Sequence, residues 1–114
     1  MVKTNPKQLV ESLLLRSSVN VQVAAVIQER TGRIVSWSWN HSGPDGFGMC
    51  AERWAIQRAN RKRLRGSTLY VGGRWKKSGN WVDARPCPEC SLALDKAGVK
   101  VVHSTKEGGW RELS

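Results

Sequence analysis

The stretch MCAERWAI, residues 49–56, sets a cysteine two positions before a glutamate and opens a run, MCAERWAIQRANRK, that reads as a helix. The other two cysteines lie in PCPEC, residues 86–90, three apart at the start of a second helical run, SLALDKAG, which ends at Gly98, a natural C-cap. Residues three apart share a helix face, so Cys87 and Cys90 belong together. Helix N-termini carry unpaired N–H groups and partial positive charge, which favour the thiolate that zinc requires. Pro88 costs little there, because a first-turn N–H has no partner to lose. Three thiolates and one open position make a catalytic type of zinc site, whereas a closed structural site wants a fourth ligand, and only His41 and His103 offer an imidazole. A metal-free alternative makes Cys50 a core residue and Cys87–Cys90 a redox pair. Glu52 lies about 200° round the helix from Cys50, so it faces the open position rather than ligating beside the thiolate. There it suits a proton shuttle; its other reading is a carboxylate complementing the helix dipole.

Outward from these segments the chain alternates. PKQLVESLLLR (6–16) follows Asn5 and Pro6, an N-cap and first-turn pair, and sets Leu9, Val10, Leu13 and Leu14 on one face. NVQVAAVI (20–27) and RIVSWSW (33–39) read as strands of a hairpin that turns at Thr31 and Gly32. In the second strand, strict alternation puts Val35, Trp37 and Trp39 on one face and Ser36 and Ser38 on the other. NHSGPDGFG (40–48) is a loop, GSTLYVGG a short third strand and RWKKSGNWVDAR a polar hairpin or loop. VKVVHS is a strand, and KEGG is too short a link to WREL for a parallel crossover, so the last two strands are antiparallel.

The bounds agree with one globular domain. The chain has 114 residues, 39% hydrophobic and 25% charged. Its longest apolar run, VAAVI, cannot span a bilayer, and MVKTNPKQLVESLLLRSS has no signal-peptide pattern, so a cytoplasmic protein with no membrane partner is expected. Net charge is +10, and residues 58–85 hold nine basic side chains against Asp83 alone. Such clustering suggests a polyanion or a phosphorylated substrate; a solvated face is the plainer reading. Trp75 and Trp81 interleave with Arg74, Lys76 and Lys77, as rings and cations do where bases stack, although tryptophans in a small protein also serve as core.

CAE followed by PCxxC resembles the zinc-dependent cytidine deaminase superfamily, whose signature is His or Cys, x, Glu, then Pro-Cys-x-x-Cys. The order of elements matches over nearly the whole chain. The resemblance implies a three-layer α/β/α fold with a mixed five-stranded sheet, as a single domain over 1–114 with 74–85 inserted. It implies Zn²⁺ on Cys50, Cys87 and Cys90, with Glu52 as general acid and base in the hydrolysis of a cytosine-type base. Asn40 and Ala51 fall at substrate-contacting places. CAER, rather than HAE, is similar to the three-cysteine nucleoside deaminases, in which an arginine placed like Arg53 offsets the excess thiolate charge. Expected partners are a cytosine nucleoside or nucleotide such as cytidine, deoxycytidine or dCMP, with single-stranded nucleic acid and a second copy of the chain as alternatives. For a polynucleotide, of cytosine or adenine, the phosphate contacts would come from Arg61, Lys62, Arg63, Arg65, Arg74, Lys76 and Lys77. A zinc-stabilised module that binds nucleic acid without catalysis is the non-enzyme alternative. Two departures stand out. The family's Asn-x-Glu, whose glutamate holds the ribose, is here Asn40-His41-Ser42, and the stretch GGRWKKSGNWVDAR lengthens the path to PCPEC.

Overall fold

The computed structural model describes residues 5–17, 19–40, 64–85 and 88–113, with backbone alone at 88–90. Helix α1 (Pro6–Leu14) starts as its sequence dictates. The Asn5 side chain accepts from the Lys7 N–H at 2.9 Å and the Gln8 N–H at 3.4 Å, and Pro6 fills the first turn. Val10, Leu13 and Leu14 are buried.

Strand β1 (Val21–Gln28) and strand β2 (Ile34–Trp39) form the expected hairpin, turning through Gly32 at φ +94°. One expectation fails in β2. Ile27 pairs with Ser36 but Gln28 pairs with Ile34, so Val35 is an extra residue in a β-bulge. The bulge breaks the alternation and turns Val35 away from the face of Trp39. Val35 packs with Ala25 and Ile27, whereas Ile34 and Trp39 pack with Ala24 and Val26. Ser36 and Ser38 are buried to 3% and 1% exposure, while Trp37 is 45% exposed.

Strand β3 (Thr68–Trp75) runs antiparallel to β1 over all eight residues, from Val21↔Trp75 to Gln28↔Thr68. It is therefore a central strand and takes in Arg74 and Trp75, which the sequence assigns to the following polar segment. The rest of that segment turns back as β4 (Trp81–Val82), antiparallel to the end of β3. Helix α2 (Pro88–Ala97) leads to β5 (Lys100–Ser104), parallel to β3, and β6 (Trp110–Glu112) closes the sheet antiparallel to β5. The sheet order is β2-β1-β3-β5-β6, a mixed five-strand path with β4 as a short sixth strand on β3.

Both faces of the sheet are covered, which is why VAAVI reads as an unbroken apolar run. On one face Ala24 and Val26 meet α1 through Val10, Leu13 and Leu14. Gly72 lies opposite Ala24, and a Cβ on it would come within 2.7 Å of Val10, so the small pair lets α1 approach. On the other face Ala25, Ile27, Leu69, Val71 and Val101 meet Leu94 of α2 and Leu64. The layers are thus α/β/α. Helix α2 ends as Gly98 predicts: at φ +75° its N–H bonds to the Asp95 carbonyl at 3.0 Å, and the Val99 N–H reaches the Leu94 carbonyl at 3.0 Å. Val99 and Leu94 are both buried in the same core. Among the described residues no helix is long and apolar enough to cross a membrane.

One edge of β3 changes partner part-way along. Thr68–Val71 pair with β5, and Gly73 and Arg74 pair with β4. The fully buried Ser104 hydroxyl bridges the junction, accepting from the Gly73 N–H at 3.1 Å and donating to the Val82 carbonyl at 2.9 Å. Ser104→Ala is expected to destabilise the protein by about 1–3 kcal/mol, the cost of leaving buried backbone groups unpaired. Urea unfolding checks this as a lower midpoint at unchanged slope.

Candidate active site

β3 and β5 are parallel, so their carboxyl ends share one edge, which is where open α/β sheets take ligands. Helix α2 points its N-terminus toward that edge. Its C-terminal end is tied to the start of β3 by the Gly66 N–H on the Gly98 carbonyl at 2.9 Å, and ten residues of helix carry the other end about 15 Å away. The chain enters α2 from β4 across the end of β5, where the Ala84 N–H donates to the Ser104 carbonyl at 3.0 Å and the Arg85 N–H to Asp83 Oδ1 at 3.0 Å. Cys90 stands in the first turn of α2, and Cys87 immediately precedes the helix. Cys87, Cys50, Ala51, Glu52, Arg53, Arg61, Lys62 and Arg63 lie outside the described residues, as does the side chain of Cys90.

The described cations do not form one patch. Arg65 lies against Gly98 at the start of β3, whereas Arg74, Lys76 and Lys77 are at or beyond its other end, about 26 Å along an eight-residue strand. Arg74 is partly buried, with Nε donating to Gln22 Oε1 at 3.4 Å while Gln22 Nε2 donates to the Ser17 carbonyl at 2.8 Å. Lys76 and Lys77 are exposed. The two tryptophans of the hairpin also part. Trp81 turns inward and meets Trp110 edge-on, ring centroids 6.4 Å apart, while Trp75 is 49% exposed.

A family model, the cytidine and deoxycytidylate deaminase zinc-binding region, matches residues 7–105. The chain belongs to this deaminase family. No curated protein sequence matches it. Among solved structures, a cytidine deaminase from Burkholderia pseudomallei superposes with a TM-score of 0.73 at 19% identity, over 96% of this chain and 89% of that one. A dCMP deaminase from the cyanophage S-TIM5 gives 0.62 at 23% identity, over 88% and 79%. RibD of Acinetobacter baumannii gives 0.60 at 24% identity, over 88% of this chain but 27% of that one. At these identities the deaminase fold is what is shared.

The family description implies Zn²⁺; the three cysteine side chains lie outside the described residues, among which no cluster of three or more His, Cys, Asp or Glu could hold a metal. A C-x-x-C pair that brackets the first turn of α2 suits thiolate ligands, for the reason given by the helix dipole. Beside that helix start, His103 is 1% exposed on the sheet face that α2 covers. Its Nδ1 faces two acceptors, the Ser104 carbonyl at 3.0 Å and Asp83 Oδ1 at 3.3 Å, which assigns the proton to Nδ1. Nε2 is then an acceptor, buried and without a partner among the described residues. The Asp83 contact and the Ser104 junction had no signal in the sequence, because both depend on which strand follows β3 across the sheet.

Asn40, at the exit of β2, is bound into the fold. Its Oδ1 accepts from the Ser17 hydroxyl at 2.6 Å and the Val23 N–H at 3.0 Å, and its Nδ2 donates to the Val21 carbonyl at 2.8 Å. The side chain thus staples β2 to the start of β1 and to the end of α1. Asn40→Ala is expected to lower stability by at least 1 kcal/mol, roughly the cost of one buried group left unpaired, as seen in the thermal midpoint. A change within about 0.5 kcal/mol, usual for a surface site, would contradict this reading.

Proposed function

We propose that the chain is a zinc-dependent deaminase that hydrolyses the cytosine base of a nucleoside or nucleotide to uracil. The observation that carries the reading is the match to the deaminase family model over residues 7–105, in a chain whose sequence holds Cys50-Ala51-Glu52 and, where α2 begins, Cys87-Pro88-Glu89-Cys90. Cys50, Cys87 and Cys90 would hold the metal. Zinc, when bound, supplies the Lewis acidity that makes water a nucleophile near neutral pH.

The remaining work falls to the chain. Water forms a bond to C4 of the base, and the C4–N4 bond breaks to release ammonia. Glu52 takes protons from the water and passes them to N3 and to the leaving nitrogen, so it must not be a ligand. Arg53 offsets the charge of the three thiolates, and Ala51 lies against the base. Asn40 contributes a substrate contact through the amide hydrogen not used on Val21, which its staple to β1 holds in place. The missing Asn-x-Glu carboxylate removes the sugar contact that favours a free nucleoside, and the net charge of +10 favours a phosphorylated one.

Protein purified without chelator is expected to carry one zinc per chain and to convert cytidine, deoxycytidine or dCMP to the uracil product, followed by mass spectrometry. Glu52→Gln should keep the zinc and lose turnover to below about a hundredth of wild type, the usual scale of general acid and base catalysis. Absence of zinc, or a variant retaining more activity than that, would overturn the proposal.

A further inference from the structure

The β3–β4 hairpin and the turn between β5 and β6 border an open surface cavity of about 550 Å³, lined by Trp75, Gly79, Asn80, Trp81, Val82, Lys106 and Glu107. That volume suits a nucleotide-sized group. The cavity lies beyond the carboxyl end of β3, at the edge to which α2 turns its N-terminus. Val82 precedes Cys87 by five residues, at most about 17 Å of extended chain. A second cavity, of about 580 Å³ between α2 and β5, has no aromatic wall and balances Asp95 against Lys100.

The two tryptophans of the hairpin have different tasks. Trp81 is occupied, packed on Trp110 and against Gly108. Trp75 is 49% exposed at the end of a central strand whose neighbours Val71, Gly72 and Gly73 are buried. Its backbone is fixed, because its N–H bonds to the Asn80 carbonyl at 2.9 Å and its carbonyl accepts from the Gly79 N–H at 2.8 Å. The indole is thus carried to the surface from a fixed point of the backbone. Lys76 and Lys77 follow it directly and Lys106 stands on the cavity wall, all exposed, against the single wall carboxylate of Glu107. Asn80 is exposed and offers a donor and an acceptor on one carboxamide.

An exposed ring, a carboxamide and three cations are the components that bind one nucleotide of a flexible strand. The ring stacks on any base and the cations meet the phosphates. We infer that this cavity is the subsite for a nucleotide flanking the target base in single-stranded nucleic acid, with its base on Trp75, its edge at Asn80 and its phosphate near Lys106, Lys76 and Lys77. The inference rests on the deaminase reading, since it takes the target base to lie at the centre built from Glu52 and the cysteines. It extends the substrate of that centre from a single nucleotide to one carried in a strand of at least two.

The experiment measures binding of a fluorescein-labelled ten-nucleotide DNA containing one cytidine, by anisotropy at several salt concentrations, with dCMP as competitor. Turnover of both substrates is followed in parallel. The oligonucleotide is expected to bind at least roughly ten-fold more tightly than dCMP, in keeping with one stacked base. Trp75→Ala should lose roughly ten-fold more affinity for the oligonucleotide than for dCMP, and Trp75→Phe should restore most of it. Lys106→Ala should reduce the salt slope of oligonucleotide binding by about 0.7, the value for one phosphate contact on a single strand. Equal affinity for the two ligands, or a Trp75→Ala variant that still binds the oligonucleotide as wild type does, would overturn the subsite. Trp75-dependent binding without deamination of any cytosine substrate would support a single-strand site here and overturn the deaminase reading instead.

Discussion

The Ser104 hydroxyl holds the point at which β3 exchanges one partner for another. A parallel neighbour and an antiparallel neighbour cannot occupy the same edge at the same residues, so the changeover leaves backbone groups facing a gap. Ser104 answers both, accepting from Gly73 and donating to Val82, in a position with no access to water. Its carbonyl then takes the Ala84 N–H, which directs the chain from β4 toward the start of α2.

The two faces of the sheet divide the work. The α1 face is closed by apolar contact, with Gly72 and Ala24 making room for Val10 and with Tyr70, Trp81 and Trp110 packed edge-on around them. Cations cover its margin, as Lys7 lies 5.9 Å from the Trp110 ring centroid and Arg16 lies 5.5 Å from that of Trp39. Buried polar side chains lie on both faces: Ser36, Ser38 and His103, the last held by Asp83, on the α2 face, and Gln22, tied to the Ser17 carbonyl, on the α1 face. Buried polar side chains cost free energy unless paired.

The same division governs the charge. In sequence, residues 58–85 read as one basic block, but β3 runs through the middle of it and carries its ends apart. Arg65 is left beside Gly98, and Arg74 is committed to Gln22, while Lys76 and Lys77, Lys106 from another turn and Arg85 after β4 are described cations at the carboxyl edge.

The sequence by itself determined what depends on local chemistry. Asn5 and Pro6 start α1, Gly98 ends α2, Gly32 turns the first hairpin, and the brevity of KEGG makes β5 and β6 antiparallel; in each case the cause lies within a few residues of the effect. CAE with PCPEC was equally legible, because helix position and spacing are local properties, and the family match agrees with it. Only the tertiary structure decided that Val35 leaves the face of Trp39, since a bulge depends on the partner strand. It alone decided that Trp81 packs in the core while Trp75 is at the surface, since Trp81 pairs with Arg74, the neighbour of Trp75, and so takes the opposite face, a register that RWKKSGNW does not contain. It likewise gave Asn40 its structural task through Ser17, Val21 and Val23, and brought Asp83 to His103. These contacts join residues far apart in the chain, and their pairing is set by strand order, which a linear pattern does not contain.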